Sequence, residues 1–330
     1  MIAVLAPGQG SQTPGMLVPW LELDGVAELV ASFSELSGLD LARLGTTADA
    51  EEIRDSAVTQ PLIVTMGLIT ASQLQLGNHV GRVVLAGHSI GEVTAAAIAG
   101  VLTPAQAISF ATRRGAEMAA ACRATPTSMV AVVGGEPDEV VTAILDAGLT
   151  PANRNGTGQI VAAGSVEAIA ALTENPPPRT RIRPLQVAGA FHTHYMGSAE
   201  QSLRAVAAEL TPADPSQTLL SNADGAVVTD GSTVLSRLVG QVTRPVRWDL
   251  CMDTMRDLGI TGAVELAPAG ALTGILRRQL AGIGLVAMKT PADLESAQRL
   301  LAGEAATGLV SQAATSSSGP PAAQLATGMP

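Results

Sequence analysis

Aromatic side chains are nearly missing from this sequence, with three Phe, two Trp and one Tyr in 330 residues. So few flat rings leave little on which a nucleobase or a sugar can stack. Positive charge is also scarce, at 19 Lys and Arg against 29 Asp and Glu, a formal net charge of -10, and Lys289 is the single lysine. No overall field draws a phosphate backbone to such a protein, so nucleic-acid binding is not expected. Only two cysteines occur, Cys122 and Cys251, and neither stands in a CxxC or other metal-ligand spacing. That excludes a disulfide framework, points away from a metal site, and leaves two buried thiols in a reducing cytoplasm as the expectation. Long hydrophobic runs are lacking too. The apolar start, Ile2-Ala3-Val4-Leu5-Ala6, breaks at Pro7 with no basic residue ahead of it, too short for a signal peptide or a membrane span.

What the sequence does contain is core-forming material: 47% hydrophobic residues against 15% charged, with a mean hydropathy of +0.31. Such a chain folds, and its length favours two domains. Apolar strand-like runs at 2–6, 82–86 and 263–266 alternate with helical patterns at 26–36, 60–76, 92–100 and after Pro268, an α/β arrangement. The run at 82–86 is apolar throughout, as in a parallel strand covered on both faces. Between 129 and 187 the pieces shorten into strand 129–133, helix 137–147, strand 159–163, helix 166–172 and strand 181–187. This β-α-β-α-β insertion reads as a small ferredoxin-like domain, with an extension of the main sheet as the alternative. The expected partition is a discontinuous large domain over 1–127 and 190–303, a small domain over 128–189, and a disordered tail over 304–330 that carries no charge from Ala305 on and is rich in Ser, Thr, Ala, Gly and Pro.

The chemistry concentrates at Gly87-His88-Ser89-Ile90-Gly91, a G-x-S-x-G segment placed between a strand and an Ala-rich helix. A tight turn there lifts Ser89 into the open at a helix N-terminus, where backbone N–H groups favour a developing oxyanion. A serine hydroxyl needs a base, and the choices are His79, His88, His192 and His194. His88 leaves the turn in another direction and reads as a wall of the pocket, while His79 lies in a polar connection. His192 follows the last strand of the insertion and is the nearer candidate, with His194 its competitor. A second Gly-rich turn, Gly8-Gln9-Gly10-Ser11-Gln12, follows the first strand. It lacks the lysine of a phosphate loop and the dinucleotide spacing, so an oxyanion-binding loop fits it better. Arg113-Arg114, with Glu117 one turn on, is either a solvated charged face or a clamp for a carboxylate.

Taken together, Pro7-Gly8-Gln9-Gly10-Ser11-Gln12, Gly87-His88-Ser89-Ile90-Gly91-Glu92, Arg114-Gly115, Ala190-Phe191-His192 with Met196, and Gln241 ahead of Pro245-Val246-Arg247-Trp248 resemble the malonyl-CoA:acyl carrier protein transacylases of bacterial fatty acid synthesis, in their actinobacterial form. The resemblance covers about residues 1–300. It implies an α/β-hydrolase-like large domain with an inserted ferredoxin-like domain. It implies Ser89 as the acylated nucleophile, His192 as its base, and the backbone N–H groups of Gln9 and Ile90 as the oxyanion hole. Arg114 would bind the malonyl carboxylate, Gln241 would orient His192 through its backbone carbonyl in place of a triad acid, and His88 and Phe191 would border the substrate. Phe191 resembles the malonyl-selective form of its motif. The implied partners are malonyl-CoA and acyl carrier protein, with no cofactor beyond the coenzyme A thioester as substrate, and a monomer is expected. Arg179, Arg181, Arg183, Arg277 and Arg278 are the candidate docking patch for an acidic carrier. A supplier of polyketide synthesis, a serine esterase or thioesterase, and a non-catalytic binding protein are the alternatives.

Overall fold

The computed structural model describes residues 1–156 and 158–304. The tail expected from residue 304 lies, from Ala305 onward, outside the described residues. In chain order the elements are β1 (Ile2–Ala6), α1 (Val26–Ser37), α2 (Leu41–Thr46), α3 (Ser56–Gln73), β2 (Val83–Gly87), α4 (Gly91–Ile98), α5 (Pro104–Ala124) and β3 (Thr127–Gly134). There follow α6 (Pro137–Asp146), β4 (Thr150–Arg154), β5 (Gln159–Ser165), α7 (Val166–Glu174) and β6 (Thr180–Pro184). The chain closes with α8 (Gly197–Ala207), β7 (Thr218–Leu219), α9 (Gly231–Gly240), α10 (Trp248–Asp257), β8 (Gly262–Glu265), α11 (Ala271–Gln279), β9 (Gly284–Ala287) and α12 (Leu294–Leu301).

The main sheet is parallel, in the order β7-β2-β1-β8-β9. Its three inner strands, β2, β1 and β8, are buried at every position, as strands covered by helices on both faces must be. Their register pairs Ala6 with Gly87, so the turns that follow, at Gly8–Gln9 and His88–Ser89, emerge side by side at the carboxyl edge of the sheet. Ligands of open α/β sheets bind at that edge.

The second sheet is antiparallel, in the order β4-β5-β3-β6, with connectivity β-α-β-β-α-β, the ferredoxin-like arrangement. Side chains alternate across it. Val130, Val132, Ile160 and Ala162 pack under α6 and α7 with Val140, Ile144, Ile169 and Leu172. Met129, Ala131, Val161 and Ala163 face the other way and join the core of the large domain. One strand, β4, has no counterpart in the sequence expectation. Its sequence, TPANR, carries a proline and an asparagine and little β-propensity. Tertiary pairing holds it, to β5 on one side and to Val246 of the large domain on the other, where Arg154 N–H donates to Val246 O and Val246 N–H donates to Ala152 O, both at 2.9 Å. The last strand of the insertion also stops at Pro184, three residues short of the expected end. The helix expected over 60–76 spans Ser56–Gln73, because the Asp55 side chain caps Ala57 N–H and the chain turns left-handed at Gln75.

Candidate active site

The turn between β2 and α4 is built by two glycines that tolerate no side chain. A Cβ on Gly87 would lie 2.0 Å from the Gly91 carbonyl, and one on Gly91 would lie 2.1 Å from Ala6 O. Between them Ser89 is held at φ +54°, a left-handed conformation that costs a non-glycine residue on the order of 1 kcal/mol or more. His192 is held in the same region, at φ +60°. Two non-glycine residues in strained backbone meet here: Ser89 Oγ lies 2.8 Å from His192 Nε2.

The other ring nitrogen, Nδ1, lies 2.8 Å from the carbonyl oxygen of Gln241. A carbonyl only accepts, so Nδ1 carries the proton and Nε2 is left free to take one from the serine. Burial, with only 3% of His192 exposed, and then the nearby charge of Arg114 push its pKa down to about 3, so the imidazole is neutral at physiological pH. His194 is exposed and packs on Tyr195 at 4.2 Å between ring centres, and His79 lies in a turn at Leu76–His79. Neither reaches Ser89. His88 lines the cleft beside the serine, with its Nε2 2.8 Å from Asn155 Oδ1 and its ring edge-on to the buried Trp248.

Arg114 is the most telling group. It is 1% exposed, yet it has no carboxylate partner among the described residues. Its Nη1 donates to Gln60 Oε1 and its Nη2 to Gln241 Oε1, both at 2.7 Å, and Nη2 lies 3.5 Å from Ser89 Oγ. Its Nε has no hydrogen-bond partner among the described residues. Burial lowers its pKa to about 10, which still leaves it charged at neutral pH. A buried cation without an anion is costly, and an anionic ligand relieves it. Arg113, by contrast, points outward and pairs with Glu117 at 3.0 Å.

A cleft of about 190 Å³ opens above the serine, lined by Gln9, Gln60, Arg114, Phe191 and His192 from the large domain and by Met129, Asn153, Asn155 and Val161 from the small sheet. The N–H groups of Gln9 and Ile90 make no hydrogen bond among the described residues, and both residues line the cleft. The Gln9 side chain is held aside by Ser56 Oγ at 3.2 Å.

Four polar residues at the site escape the sequence reading as functional groups: Gln60, Glu92, Asn155 and Asn222. Glu92 stands in the quoted serine motif, and Gln60 at the start of a recognised helical pattern. Asn222, which accepts the Ser89 N–H through Oδ1 at 2.9 Å and donates to Gly87 O at 2.8 Å, lies in a loop after β7 with no local signal. Among the described residues, no group of three or more His, Cys, Asp or Glu could hold a metal ion, and no helix is long and apolar enough to cross a membrane.

A parallel α/β sheet that presents a serine and a histidine on its carboxyl edge, beside a buried guanidinium, defines a protein of the serine acyltransferase class. The acyl transferase domain family matches residues 4–297. A malonyl CoA-acyl carrier protein transacylase from Mycobacterium tuberculosis is 51% identical over 302 residues, covering 91% of this chain and 100% of the relative. A crystal structure of MCAT from Mycobacterium tuberculosis matches with a TM-score of 0.87 at 51% identity, over 90% of this chain and 99% of that one. A malonyl-transacylase solved in complex with a type II polyketide synthase acyl-carrier protein matches with a TM-score of 0.84 at 27% identity, over 91% of this chain and 99% of that one. The chain belongs to the malonyl CoA-acyl carrier protein transacylase family.

Proposed function

We propose that the protein transfers a malonyl group from malonyl-CoA to the phosphopantetheine thiol of an acyl carrier protein, through an ester on Ser89. The single observation that carries this reading is the buried, carboxylate-free guanidinium of Arg114 at 3.5 Å from Ser89 Oγ, a seat for an acyl group that bears its own acid. His192 Nε2 takes the Ser89 proton as Oγ attacks the thioester carbonyl. The oxyanion rests on the N–H groups of Gln9 and Ile90. As the tetrahedral centre collapses, the C–S bond breaks and the imidazolium returns the proton to the leaving thiolate of coenzyme A. The carrier thiol then gives its proton to His192 and attacks the malonyl ester, and as the Oγ–C bond breaks the imidazolium returns the proton to Ser89 Oγ. Gln241 O stabilises the imidazolium formed in each half-reaction through the Nδ1 hydrogen bond. His88 and Phe191 border the acyl group.

Intact mass after mixing the protein with malonyl-CoA alone tests this. One malonyl adduct is expected on the wild type and none on Ser89→Ala; free malonate with no adduct would make the protein a hydrolase, and no reaction would make it a binding protein. The reading carries with it a cytoplasmic monomer that needs no cofactor beyond the coenzyme A thioester and binds no nucleic acid. Sedimentation of the full chain checks the oligomeric state.

Carrier docking belongs to Arg181 and Arg183, exposed on β6, which leads directly into the cleft-lining Leu185 and Val187. Arg179 is already engaged by Glu139 at 3.6 Å, and Arg277 and Arg278 stand exposed at the end of α11. Carriers of this kind are acidic, so a local basic strip offsets the net charge of -10. Reversing both charges, Arg181→Glu with Arg183→Glu, is expected to raise the carrier KM about tenfold and to leave acylation by malonyl-CoA unchanged. A change in both half-reactions, or in neither, removes the assignment. The malonyl group supplies fatty acid synthesis in this reading, in line with the 51% identical transacylase relatives, and comparing transfer to a fatty acid carrier with transfer to a polyketide carrier tests it against the alternative of polyketide supply.

A further inference from the structure

The polar neighbours of Arg114 are neutral, yet a buried carboxylate acts on it at one remove. Glu92, in the first turn of α4, is 6% exposed, and its charge is felt at Arg114 without contact. The link between them is the side-chain amide of Gln241. Its Nε2 donates to Glu92 Oε2 and, at 3.2 Å, to Ser89 O, while its Oε1 accepts from Arg114 Nη2 at 2.7 Å. The other oxygen of Glu92 accepts Asn222 N–H at 2.7 Å, and Asn222 Oδ1 in turn accepts Ser89 N–H. Both carboxylate oxygens are therefore tied to the turn that carries the serine.

An amide has a donor end and an acceptor end and can turn over between them. An ionised carboxylate only accepts, so beside Glu92 the nitrogen of Gln241 must face the acid and the oxygen must face the guanidinium. A direct Glu-to-Arg pair would occupy the donors of Arg114 and compete with an incoming acid. A pair separated by one amide compensates the charge from behind and leaves the cleft side open.

We infer that Glu92 is a positioning residue for recognition of the acyl carboxylate: it fixes the Gln241 amide, and through it holds Arg114 beside Ser89 with its substrate-facing donors free. This rests on the malonyl-transfer reading and deepens it. Glu92→Gln keeps the shape and reverses the logic. The introduced amide spends its oxygen on Asn222 N–H, so its nitrogen meets the nitrogen of Gln241. Gln241 turns over, and its nitrogen then faces the guanidinium.

The experiment measures CoA release from malonyl-CoA and from acetyl-CoA by the full chain, wild type and Glu92→Gln, each also in an Arg114→Ala background. Formation of the wild-type malonyl adduct tests the parent reading separately. The expected result is a fall of about tenfold or more in the malonyl-to-acetyl ratio of kcat/KM on Glu92→Gln, with no further fall in the Arg114→Ala background. An unchanged ratio, or an equal loss with both substrates in both backgrounds, overturns the inference, since a merely structural role lowers both rates together.

If Glu92→Gln does not fold, the wild type decides. Burial raises the pKa of Glu92 to about 7. The groups that act on it are Arg114 from α5, Arg237 from α9 and Cys251 from α10, with Asn222 and Gln241 as hydrogen-bond donors. Cys251 is itself pushed well above its ordinary range by burial, and Arg114, lowered by burial only to about 10, stays charged, so neither titrates near neutrality. His192 serves both substrates and cancels in the ratio. The malonyl-to-acetyl ratio then falls as the pH drops from about 8.5 to about 5, and a flat ratio over that range overturns the inference.

Discussion

Arg114→Ala is expected to cut kcat/KM for malonyl-CoA by about 10²- to 10³-fold and to leave acetyl-CoA nearly untouched. Removing one partner of a buried charge pair costs about 3–5 kcal/mol, and each 1.36 kcal/mol is a factor of ten in rate. The lower part of that range applies because Gln60 and Gln241 remain to solvate the substrate acid partly. Acetyl-CoA brings no carboxylate and loses nothing. The variant should also fold, since what it loses is a buried cation with no carboxylate in direct contact among the described residues, and Glu92 keeps its hydrogen bonds from Gln241 and Asn222. Gln60 Oε1 and Gln241 Oε1 each lose a donor, which is a modest cost. Stopped-flow measurement of CoA release from both substrates checks this. Equal losses would mean that Arg114 braces the site and reads no acid.

His192→Ala is the second large effect, a loss of about 10²- to 10⁴-fold in acylation with either substrate, the usual worth of a positioned base. The wild-type pH profile should carry its signature. A pKa held down at about 3 keeps His192 neutral across the working range, so kcat/KM for acetyl-CoA stays flat from pH 8 to about 5. A limb near 6.5, the ordinary histidine value, would contradict the burial seen here. The same shift has a stability consequence. The folded protein disfavours the charged ring while the unfolded chain accepts the proton readily. Stability is therefore intact above about 6.5 and declines as the pH falls from there toward about 3. The loss, on the order of a few kcal/mol at its fullest, should be smaller in His192→Ala when the two proteins are unfolded by urea at low pH.

The parts of the fold that announce themselves in the sequence are those where one local pattern decides the outcome. The apolar run before Gly87, the turn residues and the Ala-rich stretch after them specify strand, turn and helix without outside help. The short apolar runs of the insertion do the same for β3 and β5. β4 stays hidden because its residues pack as a strand only where β5 and Val246 offer both of its edges a partner. The site divides in the same way. Ser89 and Gln9 are legible from glycine-bracketed turns, whereas the residues alone leave His192 and His194 both open, and their separation is a matter of where a loop returns. Asn222 is 133 residues from the serine it supports, a contact that no local pattern encodes. Gln60 illustrates a different limit: an amide inside a buried helical stretch looks like filler until the guanidinium it serves is seen beside it.

The two hydrogen bonds that join Val246 to β4 have a consequence for traffic through the enzyme. They fasten the roof of the cleft to its floor by backbone, at a point close to Asn153 and Asn155, which line it. The small sheet that lines the passage to Ser89 is thereby tied to the large domain beside a cleft of about 190 Å³. In a transfer through an ester on Ser89, the donor thioester and the acceptor thiol use that one cleft in turn. Free coenzyme A is therefore expected to compete with the carrier's arm for the acyl-enzyme, so that the supply of malonyl groups slows as the pool of spent coenzyme rises.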